Sequence, residues 1–127
     1  MIARPNYSGP ESAFVYDSCV QVAREALERG RPAVLDGTFA RNVHRVEALT
    51  ALRGLYGPCI VVDVVCSFDT AKRRNGSREE VVPEERLRGI YASFEEPIGA
   101  LRVDTDMRSA EESAVIILAA ISDGTKL

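Results

Sequence analysis

No apolar run in the sequence approaches the roughly 20 residues that a membrane-spanning helix requires, and the first residues lack the charged-then-apolar pattern of a secretory signal. Cysteine is scarce and odd in number. Cys19, Cys59 and Cys66 have no metal-ligand spacing, which excludes a zinc framework and a disulfide scaffold and points to reduced thiols in a cytoplasmic protein. Tryptophan is absent, and the one histidine, His44, sits among charged neighbours, where a surface role is the simplest reading. Neither sign of charge dominates. A formal net charge of -3 argues against non-specific nucleic-acid binding as the main task but leaves room for a local basic site. Repeats and low-complexity segments are missing as well.

What remains is ordinary globular material: 46% hydrophobic and 28% charged over 127 residues. That length predicts a single domain, residues 1–127, with room for one core but short for a complete α/β enzyme.

Residues 1–7 read as an irregular lead-in. Ser8 and Glu11 stand at capping-box spacing around Pro10, and Phe14, Val15, Cys19, Val22, Ala23, Ala26 and Leu27 give a helix over roughly 10–29, with Gly30 as its stop. Ala33–Leu35 reads as a short buried strand ending at Asp36, and Thr38 is placed to cap the next helix. Val43, Val46, Leu49 and Leu52 mark that helix, which would turn Arg41 and Arg45 onto one side near the acid. Cys59–Cys66 is nearly all apolar, as in a strand buried on both faces of a parallel sheet. A helix from Thr70, another over 84–94, a strand over 101–105 and a last helix with a Ser109/Glu112 capping box complete the chain, with Val115, Ile116, Leu118, Ala119 and Ile121 packing that helix down. The alternation predicts an α/β fold: a three-layer parallel sheet of about three strands, with about five helices on both faces.

Two stretches carry chemistry. Asp36 and Thr38 at a strand end, with Arg41 and Arg45 beyond, are a carboxylate and hydroxyl suited to Mg²⁺ and guanidinium groups suited to phosphate, although Asp-Gly also simply turns a chain. The second is Arg73-Arg74-Asn75-Gly-Ser-Arg78, which can be a solvated basic turn or a lid closing over phosphates. Glu95 and Glu96 diverge as neighbours on a helix and are read as terminating it or pairing with the lid arginines.

The run Val34-Leu-Asp-Gly-Thr-Phe with Arg41 and Arg45, then Arg74-Asn75-x-x-Arg78, Val82-Pro83 and Phe94-Glu-x-Pro97, resembles the P-loop kinase group that includes L-seryl-tRNA(Sec) kinase, polynucleotide 5'-kinase and zeta-toxin-like kinases, closest to the first of these. The likeness spans most of residues 8–122. It implies a truncated P-loop NTPase-like fold, with ATP and Mg²⁺ as cofactors and a hydroxyl acceptor such as seryl-tRNA. By the same resemblance Asp36, with Thr38 beside it, holds the metal or orients the acceptor; Arg74 and Arg78 bind the ATP phosphates; Asn75 fixes the lid; and Arg41 and Arg45 face the acceptor. Phe39 stands where many relatives carry Asn.

The sequence departs from the group in having no Gly-x-x-x-x-Gly-Lys-Ser/Thr loop and no segment supplying the general base. In the group's sheet the phosphate-loop strand lies between the strands at Val34 and Ile60. The expectation is therefore that those two pair directly, or that a second chain, preferably another copy, covers the gap. Three readings stay open: an ATP-dependent kinase whose front portion is supplied elsewhere, a non-catalytic binding or assembly module, and a small Mg²⁺-dependent phosphate-binding protein using Asp36 with Asp104 or Asp106.

Overall fold

The computed structural model describes residues 9–123, with side chains from Ser12 onward, so the expected lead-in and the Ser8/Glu11 capping box lie outside the described residues. The elements run α1 (Gly9–Glu28), α2 (Asn42–Leu52), β1 (Val62–Val65), α3 (Phe68–Gly76), α4 (Glu84–Ser93), β2 (Leu101–Asp104) and α5 (Ala110–Ser122). The fold is truncated α/β, with five helices and a parallel sheet of two strands. The chain divides at Gly57 into two compact units.

In the first unit, α1 packs on α2 around Val20, Ala23, Ala48 and Leu52, with Leu27, Ala33, Leu35 and Phe39 against them. As expected, α1 stops at Gly30. This residue takes φ 73°, and the Gly30 and Arg31 amides bond back to Leu27 and Ala26. The buried stripe of α1 is rotated from the expected face: Phe14, Val15 and Val22 are exposed and Val20 is buried. On α2, Val43 and Val46 are likewise exposed, because the helix meets α1 through Ala48 and Leu52.

Ala33–Leu35 does not form the expected strand. The segment alternates half-buried Ala33, exposed Val34 and half-buried Leu35, but among the described residues no strand lies within its unit, and the sheet consists of β1 and β2. A strand is defined by its ladder, and three residues between Pro32 and Asp36-Gly37 have no neighbour to build one. Thr38 does not cap α2. The N-cap is Arg41, in an extended conformation with no side-chain cap bond, and Arg45 lies in the first turns of the helix.

In the second unit, β1 and β2 pair in parallel from Val62↔Leu101 to Val65↔Asp104. Val103, 2% exposed, is the centre of this unit's packing. The β1 ladder is shorter than the apolar run Cys59–Cys66, and Val64 is exposed rather than covered. Ser109 and Glu112 form the expected reciprocal capping box on α5. The expected inward face of α5 is not inward, since Val115, Leu118 and Ile121 are exposed. Two strands offer a helix too little sheet to lie on, so much of the apolar surface of α5 stays in contact with water.

Candidate functional site

Because β1 and β2 are parallel and end at the same level, they deliver Cys66-Ser67 and Thr105-Asp106 side by side at their carboxyl ends, where open α/β sheets place ligands. Ser67 is the N-cap of α3, its hydroxyl accepting from the Thr70 amide. The Asp106 carboxylate accepts from the Ser67 amide at 2.6 Å through Oδ2 and from the Thr70 hydroxyl through Oδ1. An acid thus occupies the N-terminus of α3. Chiefly the Thr70 hydrogen bond, then that of the Ser67 amide, holds the Asp106 carboxyl below its ordinary value of 3.8.

Arg74, in the last turn of α3, reaches back to this strand end: its guanidinium donates to Thr105 Oγ1 at 2.8 Å and to the Thr105 carbonyl at 3.0 Å. The Thr105 hydroxyl in turn donates to the Val65 carbonyl. Tyr91, from α4, donates to the Cys66 carbonyl at 2.8 Å, and partial burial first, then its contact with Cys66, pushes its phenol up to about 12. The Tyr91 ring packs edge-on against Phe68, and its hydroxyl ties α4 to the end of β1.

The connection between α3 and α4 is held by one side chain. Asn75 donates to the Val82 carbonyl at 2.7 Å and accepts from the Val82 amide at 2.9 Å, closing residues 76–81 into a loop that presents Arg78 to solvent. Glu84 accepts from Lys72 at 2.8 Å and from Arg88 at 3.3 Å; the Lys72 contact is the larger cause of its lowered pKa. Glu96 pairs with Arg102 at 3.1 Å rather than with a lid arginine.

In the first unit, Asp36 and Thr38 are exposed, and Asp36 lies at one end of an open groove of about 570 Å³ between α1 and residues 32–36. Gly37 permits a close approach there: a Cβ at this position would lie 3.3 Å from the Phe39 ring. Phe39 itself takes φ 41°, stacks on Tyr16 at 4.3 Å and donates its amide to the Tyr16 hydroxyl at 3.0 Å. Arg45 donates to the Phe39 carbonyl at 2.6 Å and to the Asn42 side chain, so it braces this turn. His44 is half-buried against the Tyr16 ring, 4.9 Å away, rather than fully on the surface.

The site residues expected from sequence therefore fall into two sets. Arg74, Asn75 and Arg78 cluster around the α3–α4 connection in the second unit, and Asp36, Thr38, Arg41 and Arg45 lie along residues 36–45 of the first. Among the described residues no group of three or more His, Cys, Asp or Glu side chains converges as a metal site. Asp36 and Thr38 nonetheless offer the hard oxygen donors that Mg²⁺ takes one or two at a time alongside phosphates and water. Sequence reading missed Ser67, Thr70, Thr105 and Glu84; the Ser-x-x-Thr spacing at 67–70 was the available signal for the first two. No helix among the described residues is long and apolar enough to cross a membrane.

The sequence profile of a family described as an AAA domain matches residues 3–97. No curated protein matches the chain, and no solved structure does either.

Proposed function

The chain belongs to the AAA domain family, a P-loop kinase-like group, and from that premise we propose that it is the lid-bearing part of an ATP-dependent phosphotransferase acting on a hydroxyl acceptor. The observation that carries this reading is the loop closed by Asn75 on both polar groups of Val82, which holds Arg78 exposed just beyond Arg74. Two arginines on a pinned loop suit the phosphates of a nucleotide, because planar guanidinium groups bind phosphate oxygens in pairs and need little reorganisation to do so. Arg74 and Arg78 are assigned to the ATP phosphates, with Arg74 also the catalytic lid cation that exchanges Thr105 for phosphate. Asp36, with Thr38, orients the acceptor hydroxyl and contributes oxygen ligands to Mg²⁺, and Arg41 and Arg45 face the acceptor. Bound Mg²⁺ would neutralise charge on the phosphates.

A seryl-tRNA-like acceptor suits the branch that the motifs resemble, and the three free thiols suit a reducing, cytoplasmic setting. The same reading gives the unpaired segment 33–35 a second chain, either another copy or a partner that supplies a strand.

The alternative is a non-catalytic module. It keeps the fold without turnover: the Gly-x-x-x-x-Gly-Lys-Ser/Thr nest of amides and its lysine perform most of the positioning in phosphoryl transfer, and these 127 residues do not contain that loop. Calorimetric titration with ATP-Mg²⁺ separates the two. Saturable binding, weakened about 10- to 100-fold by Arg74→Ala and by Arg78→Ala, supports the phosphotransferase reading. No heat of binding at millimolar ATP leaves the module.

A further inference from the structure

At the carboxyl end of β2 both oxygens of Thr105 face one guanidinium. Arg74 donates through Nη1 to the Thr105 hydroxyl at 2.8 Å and through Nη2 to the Thr105 carbonyl at 3.0 Å. The hydroxyl hydrogen is already committed, since it goes to the Val65 carbonyl at 3.0 Å, so toward Arg74 this group can only accept. Its position is fixed as well. The Thr105 amide donates to the same Val65 carbonyl at 2.8 Å, which carries the β1–β2 ladder past Asp104. Thr105 thus offers a rigid pair of acceptor oxygens to the fork of a guanidinium, as a phosphate or carboxylate does, but without the charge.

We propose that Thr105 is a positioning residue that parks Arg74: a neutral stand-in for phosphate that must be displaced before the arginine can bind a nucleotide, and that therefore sets the affinity for it. The inference rests on the phosphotransferase reading above. The neighbouring contacts make the displacement a side-chain movement. Asp106 stays on the first turn of α3 through the Ser67 amide and the Thr70 hydroxyl, Asn75 holds both polar groups of Val82, and Lys72 pairs with Glu84 at 2.8 Å. None of these bonds involves Arg74, so α3 is held on either side of it while the guanidinium swings. Ionised phosphate oxygens accept hydrogen bonds about twice as strong as neutral ones do, so phosphate wins the exchange. The bonds to Thr105 remain a penalty on every nucleotide that recruits Arg74.

Calorimetric titration of the full chain with ATP-Mg²⁺ tests the latch. Thr105→Val keeps the β-branched shape and leaves the Val65 carbonyl its bond from the backbone amide, but it removes the hydroxyl acceptor; it should bind ATP about 3- to 10-fold more tightly than the wild type. Thr105→Ser keeps both oxygens and should match the wild type. In an Arg74→Ala background Thr105→Val should change nothing, a dependence that a merely structural role would not show. Binding seen in Thr105→Val alone also supports the latch. Unchanged or weaker binding by Thr105→Val beside a wild type that binds, or an equal gain in the Arg74→Ala background, overturns the latch and leaves the phosphotransferase reading intact. No binding by any variant at millimolar ATP overturns both. Should Thr105→Val fail to fold, NMR of the arginine side chains decides on the wild type. The Arg74 guanidinium signal, assigned by its loss in Arg74→Ala, should show hindered rotation and should shift on addition of ATP-Mg²⁺. A guanidinium that rotates freely before ATP is added, or that ATP leaves unmoved, overturns the proposal.

Discussion

Phe39 sets two residue-scale effects against each other. Its φ of 41° lies in the left-handed region, where a bulky side chain costs about 1–3 kcal/mol and Asn is tolerated best. Against that, the ring stacks on Tyr16 at 4.3 Å and packs onto the core cluster, worth about 1.5 kcal/mol of burial and about 1 kcal/mol of ring pairing. Packing outweighs the backbone strain. Phe39→Asn should therefore lower unfolding free energy by about 1 kcal/mol in urea titration, although it relieves the backbone; a gain in stability would mean that strain dominates. Asp106 gives the pH dependence. Its carboxyl is held below 3.8 by the Thr70 hydroxyl and the Ser67 amide, so its contribution to stability is complete above that value and is lost as pH falls through the lower, folded-state pKa. Melting temperature should fall on acidification through this window, and Asp106→Asn should show a shallower fall with a lower plateau at neutral pH. Equal acid slopes in the two proteins would place the titration elsewhere.

At the scale of elements, α5 is the helix whose start is best defined. The Ser109 hydroxyl accepts from the Glu112 amide and the Glu112 carboxylate accepts from the Ser109 amide, so Ser109→Ala should cost about 1 kcal/mol of stability, measured by urea unfolding. Every helix was legible in the sequence because each start or stop is a local device: Gly30 behind α1, Pro83 before α4, the capping box of α5. The strands were legible only where a partner exists. Val62–Val65 and Leu101–Asp104 find each other, whereas Ala33–Leu35 has the alternation of a strand and no ladder. Apolar periodicity also misled on facing: it identified the apolar positions on α2 and α5 without saying how much surface would exist to cover them, and Val46, Val115 and Leu118 stayed exposed. The clustering of candidate residues was legible where one short stretch brings them together, as at Arg74, Asn75 and Arg78. It was not where two strand ends meet, because Thr105 approaches Val65, and Asp106 approaches Ser67, only through the register of β1 on β2.

For the whole molecule the decisive quantity is how little apolar surface each unit hides. Among the described residues the buried apolar side chains are Val20, Ala23, Ala48 and Leu52 in the first unit and Val103 in the second, while Val15, Val22 and Val34 of the first and Val64, Val115, Leu118 and Ile121 of the second face solvent. Small bodies with so few fully buried side chains are marginal alone, since the conformational entropy lost on folding is of the same order as the burial that opposes it. Anything that binds such a body only when it is folded, a nucleotide or a second chain, adds to its stability, and binding of a second copy makes stability depend on concentration. If a second copy covers the segment 33–35, each tenfold rise in protein concentration adds about 0.7 kcal/mol per chain and should raise the melting temperature by about 2–3 °C for a domain of this size. A melting temperature independent of concentration would mean that the chain folds as a monomer and that its apolar faces are covered without a second copy.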